Sequence, residues 1–233
     1  MNILKEKWIG KQQKNQLTKN LNAKKEYLLQ NQELFGKEIF LDITQKSSPF
    51  PNQLNTFEKN ICNCEKCDLH ESRTNFVFGE GDENASLLLI GEAPGAQEDL
   101  EGRPFVGRSG KLLDKILKAI DRDRFNDTYI CNILKCRPPE NRNPSLSEVD
   151  KCKPYLNHQI KLINPRLIVT LGLVATSTLL GKDSSLKDMR NNIFYYMNYP
   201  VIVTYHPAFL LRSPSFKKNA WEDFKRIRDY IKN

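Results

Sequence analysis

The sequence predicts an α/β fold, a central parallel, doubly wound sheet of about four strands flanked by helices. Two observations carry that expectation. From about Leu54 onward, short apolar runs alternate with helical patterns, the rhythm of a parallel sheet covered on both faces. Chemically suggestive residues also fall just past the C-terminal ends of those runs: Gly91-Glu92, Lys135-Cys136-Arg137, Gly172 and His206-Pro207. Open α/β sheets bind ligands along that edge, so motifs far apart in the chain can share one pocket.

The strands are expected at Leu87–Ile90, Tyr129–Leu134, Leu167–Leu171 and Val201–Tyr205. Between them, Ser109–Ile120 places Leu112, Leu113, Ile116, Leu117 and Ile120 on one helical face. Ser145–Ile163 opens with Ser145-x-x-Glu148, a capping-box pattern. A further helix covers Leu173–Leu180. The last, Ala220–Ile231, aligns Trp221, Phe224, Ile227 or Arg228, and Ile231.

Residues 1–50 differ from the rest. They are rich in Asn, Gln and Lys, and only Leu21, Leu28, Leu29 and Phe35 suggest a short amphipathic helix. They read as a basic polar N-terminal extension, with Ser47-Ser48-Pro49-Phe50-Pro51 marking the boundary to a domain over 51–233.

The net charge of +8 favours a polyanionic partner, nucleic acid before an acidic membrane surface. Nine lysines against five acids in residues 1–50 supply half of it, so the extension alone does not explain the bias. No apolar run approaches the ~20 residues that span a bilayer, and the start lacks a secretory signal. No membrane association and a cytoplasmic address are expected. Six cysteines in such a chain point to metal or redox chemistry more than to disulfides.

The segment 91–107 carries the most chemistry. It holds four glycines, two prolines and four acids directly after the buried-strand pattern Leu87–Ile90. Glycine and proline impose special backbone angles, and long loops at strand ends are commonly functional. This loop is expected to floor an active site.

Cys64-x2-Cys67 precedes the sheet, and Cys136 and Cys152 bracket the following loop and helix start. A close pair plus two further thiols can close around one ion or cluster, and spacing alone does not separate zinc from iron–sulfur. Unpaired thiols at Cys136 and Cys152 are the alternative. Cys131 sits in a strand pattern and reads as core. Cys62 and His70 are lesser substitute ligands.

Together these segments resemble the iron–sulfur, or family 4, uracil-DNA glycosylases. The matching pieces run in order: Cys64-x2-Cys67 with Arg73-Thr74; Phe78-Gly79-Glu80-Gly81; Gly91-Glu92-Ala93-Pro94-Gly95; Gly102-Arg103-Pro104-Phe105-Val106-Gly107; Asn132-x2-Lys135-Cys136-Arg137-Pro138-Pro139; Asn141-Arg142-x-Pro144; and Thr204-Tyr205-His206-Pro207-Ala208. The resemblance covers roughly residues 57–230. It implies a uracil-DNA glycosylase-like α/β/α sandwich and a structural [4Fe-4S] cluster on Cys64, Cys67, Cys136 and Cys152. It implies hydrolysis of the N-glycosidic bond of uracil in DNA, leaving an abasic site for base-excision repair. Such enzymes act on a flipped base.

Within that reading, Gly91 belongs to the uracil pocket and Phe105 offers a flat ring for stacking. The Asn132 amide can both donate and accept, matching uracil N3–H and O4. His206 can stabilise charge developing on the leaving uracil. Glu92, Glu98, Asp99 and Asn141 are all candidates for positioning the water, and which of them does so is left open. Glu92 is favoured for architecture, and Glu92 and Asn141 join His206 as the catalytic candidates. Glu98 and Asp99 read equally well as a helix-start or solvent-facing pair. The Asp-Pro pairing of the classical enzymes is replaced here by Glu92, so no aspartate base carries over. Leu210 and Arg212, in Pro207–Pro214, are candidates for a DNA-inserted wedge and its cation. Arg103, Arg108, Lys135, Arg137 and Arg142 are candidates for a phosphate track.

The expected partner is uracil-containing DNA, single- or double-stranded, met by a monomer. The extension is expected to give weak DNA contact or to dock a replication or repair partner. Three other readings compete. A small-molecule nucleotide enzyme is possible on fold alone, but no P-loop or dinucleotide fingerprint occurs. A non-catalytic, polymerase-associated nucleic-acid-binding domain would keep the fold and metal, yet Phe105, Asn132 and His206 are all retained. A covalent uracil binder would carry a histidine in an insertion beside the pocket, and Glu140–Leu146 has none.

Overall fold

The computed structural model describes residues 53–182 and 184–232. The extension over 1–50, with its suggested amphipathic helix, lies outside the described residues. In chain order the elements are α1 (Gln53–Ile61), α2 (Leu69–Ser72), β1 (Glu80–Gly81), β2 (Leu87–Gly91), α3 (Ala96–Glu101), α4 (Arg108–Ala119) and β3 (Thr128–Asn132). There follow α5 (Leu146–Ile163), β4 (Leu167–Leu171), α6 (Leu173–Leu180), α7 (Leu186–Met189), β5 (Phe194–Tyr196), β6 (Tyr199–Thr204), α8 (Pro207–Arg212) and α9 (Lys217–Lys232).

The sheet has six strands in the order β1-β3-β2-β4-β6-β5. Its inner four, β3, β2, β4 and β6, are the expected parallel strands. The two outer strands are antiparallel additions. Each is too short to show alternation. β5 is joined to β6 by Met197-Asn198, both with positive φ (50° and 71°), the signature of a primed hairpin turn without the usual glycine.

β2, β3 and β4 are buried at every position, because successive side chains enter two different cores. Leu88, Ile90, Cys131 and Ile168 pack with Leu156 and Ile160 of α5. Leu87, Leu89, Ile130 and Val169 pack on the other face with Leu113 and Leu117 of α4 and Phe224 and Ile227 of α9. The sheet is doubly wound.

Two helix expectations hold in detail. Ser145 caps α5 reciprocally with Glu148, and α4 buries Leu113 and Leu117 while Leu112 and Ile116 pack only in part. In α9, by contrast, Trp221 turns outward and Ala220, Asp223, Phe224, Ile227 and Ile231 face in. Asp223 faces in because it accepts from Arg190 (2.7 Å) and from the Thr204 hydroxyl (2.7 Å). Among the described residues no helix is long and apolar enough to cross a membrane.

The topology reverses at β2. The chain leaves β2 for β3 on one side and returns to β4 on the other. That switch point opens a crevice at the C-terminal strand ends.

Candidate active site

The crevice is a cavity of ≈ 550 Å³. Glu92, Phe105, Asn132, Asn141, His206 and Arg212 all line it, although they come from five separate stretches of chain. Parallel register explains the centre of the group. Gly91 at the end of β2 pairs with Asn132 at the end of β3, so groups from both strand ends meet at the cavity.

Gly91 has a steric reason to be glycine. A Cβ there would lie 2.3 Å from Asn132 Oδ1 and 2.7 Å from Phe105 Cζ. Both side chains close over the bare backbone. The strand expected to reach Leu134 stops pairing at Asn132, after which the Ile133 and Leu134 amides donate to Gly91 and Glu92 carbonyls. Asn132 thus stands at the strand's lip.

Asn132 is only 2% exposed, and its Oδ1 has no hydrogen-bond partner among the described residues. A buried, unpaired amide acceptor is destabilising, by about 1–3 kcal/mol, and such groups call for a ligand or a water. The Phe105 ring lies 5.5 Å from that of His206, tilted by 33°.

His206 caps α8, its Nδ1 accepting from the Ala208 amide at 3.1 Å. That bond assigns the proton of the neutral ring to Nε2. Burial, helped by the Arg212 charge and opposed by Glu98, pushes the imidazole down to about 4. The ring is neutral at physiological pH and offers one N–H.

Glu92 is partly buried, which raises its carboxyl above the usual range. Its carboxylate makes no side-chain hydrogen bond or ion pair among the described residues, and it lines the cavity. Asn141 lies at the exposed mouth, its Oδ1 accepting from Arg137 Nε at 2.9 Å.

Glu98 and Asp99 are buried helix-start acids, not solvent-facing ones. Glu98 accepts from the Val106 and Gly107 amides, both at 3.0 Å. Asp99 accepts from the Thr74 amide at 2.9 Å. They tie loops together.

Three expectations change with the structure. Leu210, the wedge candidate, is 1% exposed and packs with Tyr205 and Ala220, so it cannot enter DNA from this arrangement. Lys135, a phosphate-track candidate, is fully buried (0% exposed) and donates to the Asn132 carbonyl at 2.8 Å. Arg142 and Arg103 already pair with Glu148 and Glu80, both at 2.6 Å. Arg108 remains exposed, and Arg212 is an exposed cation beside the cavity.

Sequence reasoning missed Leu173 and Val174, which line the cavity at the start of α6. Leu173 is an exposed apolar side chain there. The signal was available, since both follow Gly172 at a strand end.

The cysteine quartet gathers beside α5. The Cys136 thiol senses Cys67 and Cys64, and Cys152 senses Cys136 and Cys67. Cys136 Sγ accepts from Arg73 Nη1 at 3.3 Å, and Cys64 Sγ from the Tyr155 hydroxyl at 3.3 Å. Burial pushes the Cys152 thiol up to about 11. Cys131 is core, as expected, and the His70 ring contacts the Cys67 carbonyl at 2.9 Å. Among the described residues, no three His, Cys, Asp or Glu side chains form a ready single-ion site.

Comparison with known proteins gives this geometry its family. The family model described as the uracil DNA glycosylase superfamily matches residues 78–225. The type-4 uracil-DNA glycosylase of Sulfurisphaera tokodaii is 42% identical over 186 residues, 76% of this chain and 84% of the relative. That of Archaeoglobus fulgidus is 41% identical over 182 residues, 75% of this chain and 91% of the relative. That of Thermotoga maritima is 43% identical over 173 residues, 72% of this chain and 90% of the relative. With the crevice, the orphaned amide and the thiol quartet already in place, the conclusion is direct: the chain belongs to the type-4 uracil-DNA glycosylases of the uracil DNA glycosylase superfamily.

Proposed function

We propose that the chain excises uracil from DNA by hydrolysing its N-glycosidic bond, with Asn132 reading the base. The buried Asn132 amide, with no partner for its oxygen among the described residues, is the observation that carries this reading. Uracil N3–H donates to Oδ1 and uracil O4 accepts from Nδ2. Cytosine presents a bare N3 acceptor at the same point, so the Asn132 oxygen stays unpaired. A site built for a hydrogen bond rejects an analogue lacking it strongly.

Phe105 forms the wall on which the flipped base stacks. Nε2–H of neutral His206 donates to uracil O2 as negative charge builds there. Glu92 holds a water toward C1′, and Asn141 extends the polar path at the mouth. The C1′–N1 electron pair leaves with uracil, water oxygen bonds to C1′, and its proton passes to Glu92 or solvent. Arg212 adds positive charge beside the leaving anion and suits a DNA phosphate. The Asn132 and His206 groups are held before reaction, so little reorganisation is needed.

Cys64, Cys67, Cys136 and Cys152 would hold a [4Fe-4S] cluster. Four gathered thiols with N–H and O–H donors from Arg73 and Tyr155 suit an anionic cluster. When bound, the cluster supplies cross-linking of the chain, not bond breaking. A cytoplasmic address, a monomeric state, and weak DNA contact or docking of a replication or repair partner through residues 1–50 complete the proposal; the overall charge of +8 supports the DNA partner.

The test is incubation of anaerobically purified protein with a labelled single-uracil oligonucleotide, followed by alkali. A thymine oligonucleotide and Asn132→Ala run alongside. Expected is alkali-dependent cleavage at uracil only, reduced by about 100-fold or more in the variant. Bound DNA without cleavage would favour the non-catalytic binding domain.

A further inference from the structure

Arg124 has no place in the chemistry above, yet it is among the most heavily bonded side chains near the site. It lies between α4 and β3, and its guanidinium is buried. Nη1 donates to the Pro104 carbonyl at 2.9 Å, and Nη2 to the Phe105 carbonyl at 2.7 Å. On the other side, Asp114 Oδ1 accepts from Nε at 3.0 Å and from Nη2 at 2.8 Å. Glu80 Oε2 accepts from Nη1 at 2.9 Å.

The carbonyls it grips belong to the most unusual stretch of backbone in the cavity wall. Phe105 has φ of 53°, a left-handed conformation that a bulky side chain rarely adopts and that surrounding structure must impose. Its carbonyl is pressed so close to α4 that a Cβ on Gly110 would lie 1.6 Å from the oxygen. Behind the loop is an open hollow of ≈ 750 Å³, lined by Phe105, Val106 and Arg124 among others. With open space on its outer side, the loop depends on its tethers. Glu98 holds the amides of Val106 and Gly107, and Arg124 holds the two preceding carbonyls.

We propose that Arg124 is a positioning residue for uracil recognition: by pinning the Pro104 and Phe105 carbonyls, it fixes the Phe105 ring in the plane on which the base stacks. The inference rests on the reading of Phe105 as the stacking wall. Asp114 and Glu80 hold the guanidinium in turn, so its planar fork is orientated before substrate arrives. Lysine cannot substitute, because one ammonium does not span two carbonyls and two carboxylates in a plane.

The test is a double-mutant cycle between Arg124→Lys and Phe105→Ala on the cluster-containing full chain. The readouts are inhibition by free uracil, affinity for uracil-free DNA, and the thermal midpoint. Arg124→Lys is expected to weaken uracil inhibition about ten-fold and leave uracil-free DNA affinity unchanged. In the Phe105→Ala background the same substitution should add nothing, since coupled residues are non-additive. Asp114→Asn is the second variant, chosen because Asp114 is half-exposed on α4 and the amide keeps an oxygen to accept from Arg124. It should act in the same direction, more weakly, and likewise vanish without Phe105. Equal fold-losses in both backgrounds, or equal losses for uracil and uracil-free DNA, would overturn the inference. If Phe105→Ala alone leaves uracil inhibition unchanged, the stacking wall itself fails and the inference falls with it.

Discussion

At the residue scale, the site is organised by groups left deliberately unpaired or singly paired. Among the described residues Asn132 Oδ1 has no partner, and His206 spends Nδ1 on the Ala208 amide and keeps Nε2–H for a ligand. The His206 shift has a measurable consequence. Its folded value lies near 4, below the ordinary value of 6.5, so the unfolded chain binds the extra proton between those limits. The stability this neutral ring contributes is complete above about pH 6.5 and is lost as pH falls toward 4. In NMR titration of labelled histidine, His206 should stay neutral through pH 5.5, while a titration near 6.5 would contradict the buried setting. Lys135 teaches the opposite lesson. Its place in Lys135-Cys136-Arg137 suggested a phosphate ligand, but tertiary contacts bury its whole side chain, and sequence carries no marker for that.

At the element scale, the capping box of α5 matters because that helix carries Cys152 and packs on the β2–β3 face. The Arg142 guanidinium, with the Ser145 bonds adding to it, holds the Glu148 carboxyl at about 2. A carboxyl lowered on folding contributes stability above its unfolded value, near 4.5, and loses it as pH falls toward 2. Glu148→Gln should therefore lower the urea midpoint at pH 7, by about 1 kcal/mol in stability. The gap to the parent should narrow as pH is lowered below 4, and a gap that did not change with pH would rule out the charged cap. This helix start was legible because Ser-x-x-Glu is a local signal. β1 and β5 were not, since two- and three-residue strands exist only through the partner that they pair with.

At the scale of the whole molecule, the four thiols lie on segments that the sheet alone does not join. Cys64 and Cys67 precede β1, Cys136 follows β3, and Cys152 rides on α5. A bound cluster stabilises the folded state in proportion to how strongly it prefers folded ligands. Stripping iron with a chelator under reducing conditions should abolish the visible iron–sulfur absorbance and lower the thermal midpoint by several degrees, roughly 4 °C or more if 2 kcal/mol is lost. Colour lost with no change in midpoint would mean that the quartet does not cross-link the fold.

By itself, the sequence determined the four parallel strands and the capped helix, and it marked the four thiols and Glu92, Phe105, Asn132 and His206 as candidates through their strand-end positions and the family resemblance. These are written in local code: continuous apolar runs, a capping pair, and glycine, proline and polar residues where strands end. What only the tertiary structure decided is which of those side chains face the cavity. The apolar stretch after His206 is as compatible with a wedge as with a core, and packing against Tyr205 and Ala220 sent Leu210 inward. Arg124 carried no sequence signal, because its value lies in two carbonyls and two carboxylates that come together only on folding. Burial and hydrogen-bond partnership are properties of neighbours in space, and a linear pattern specifies neighbours only along the chain.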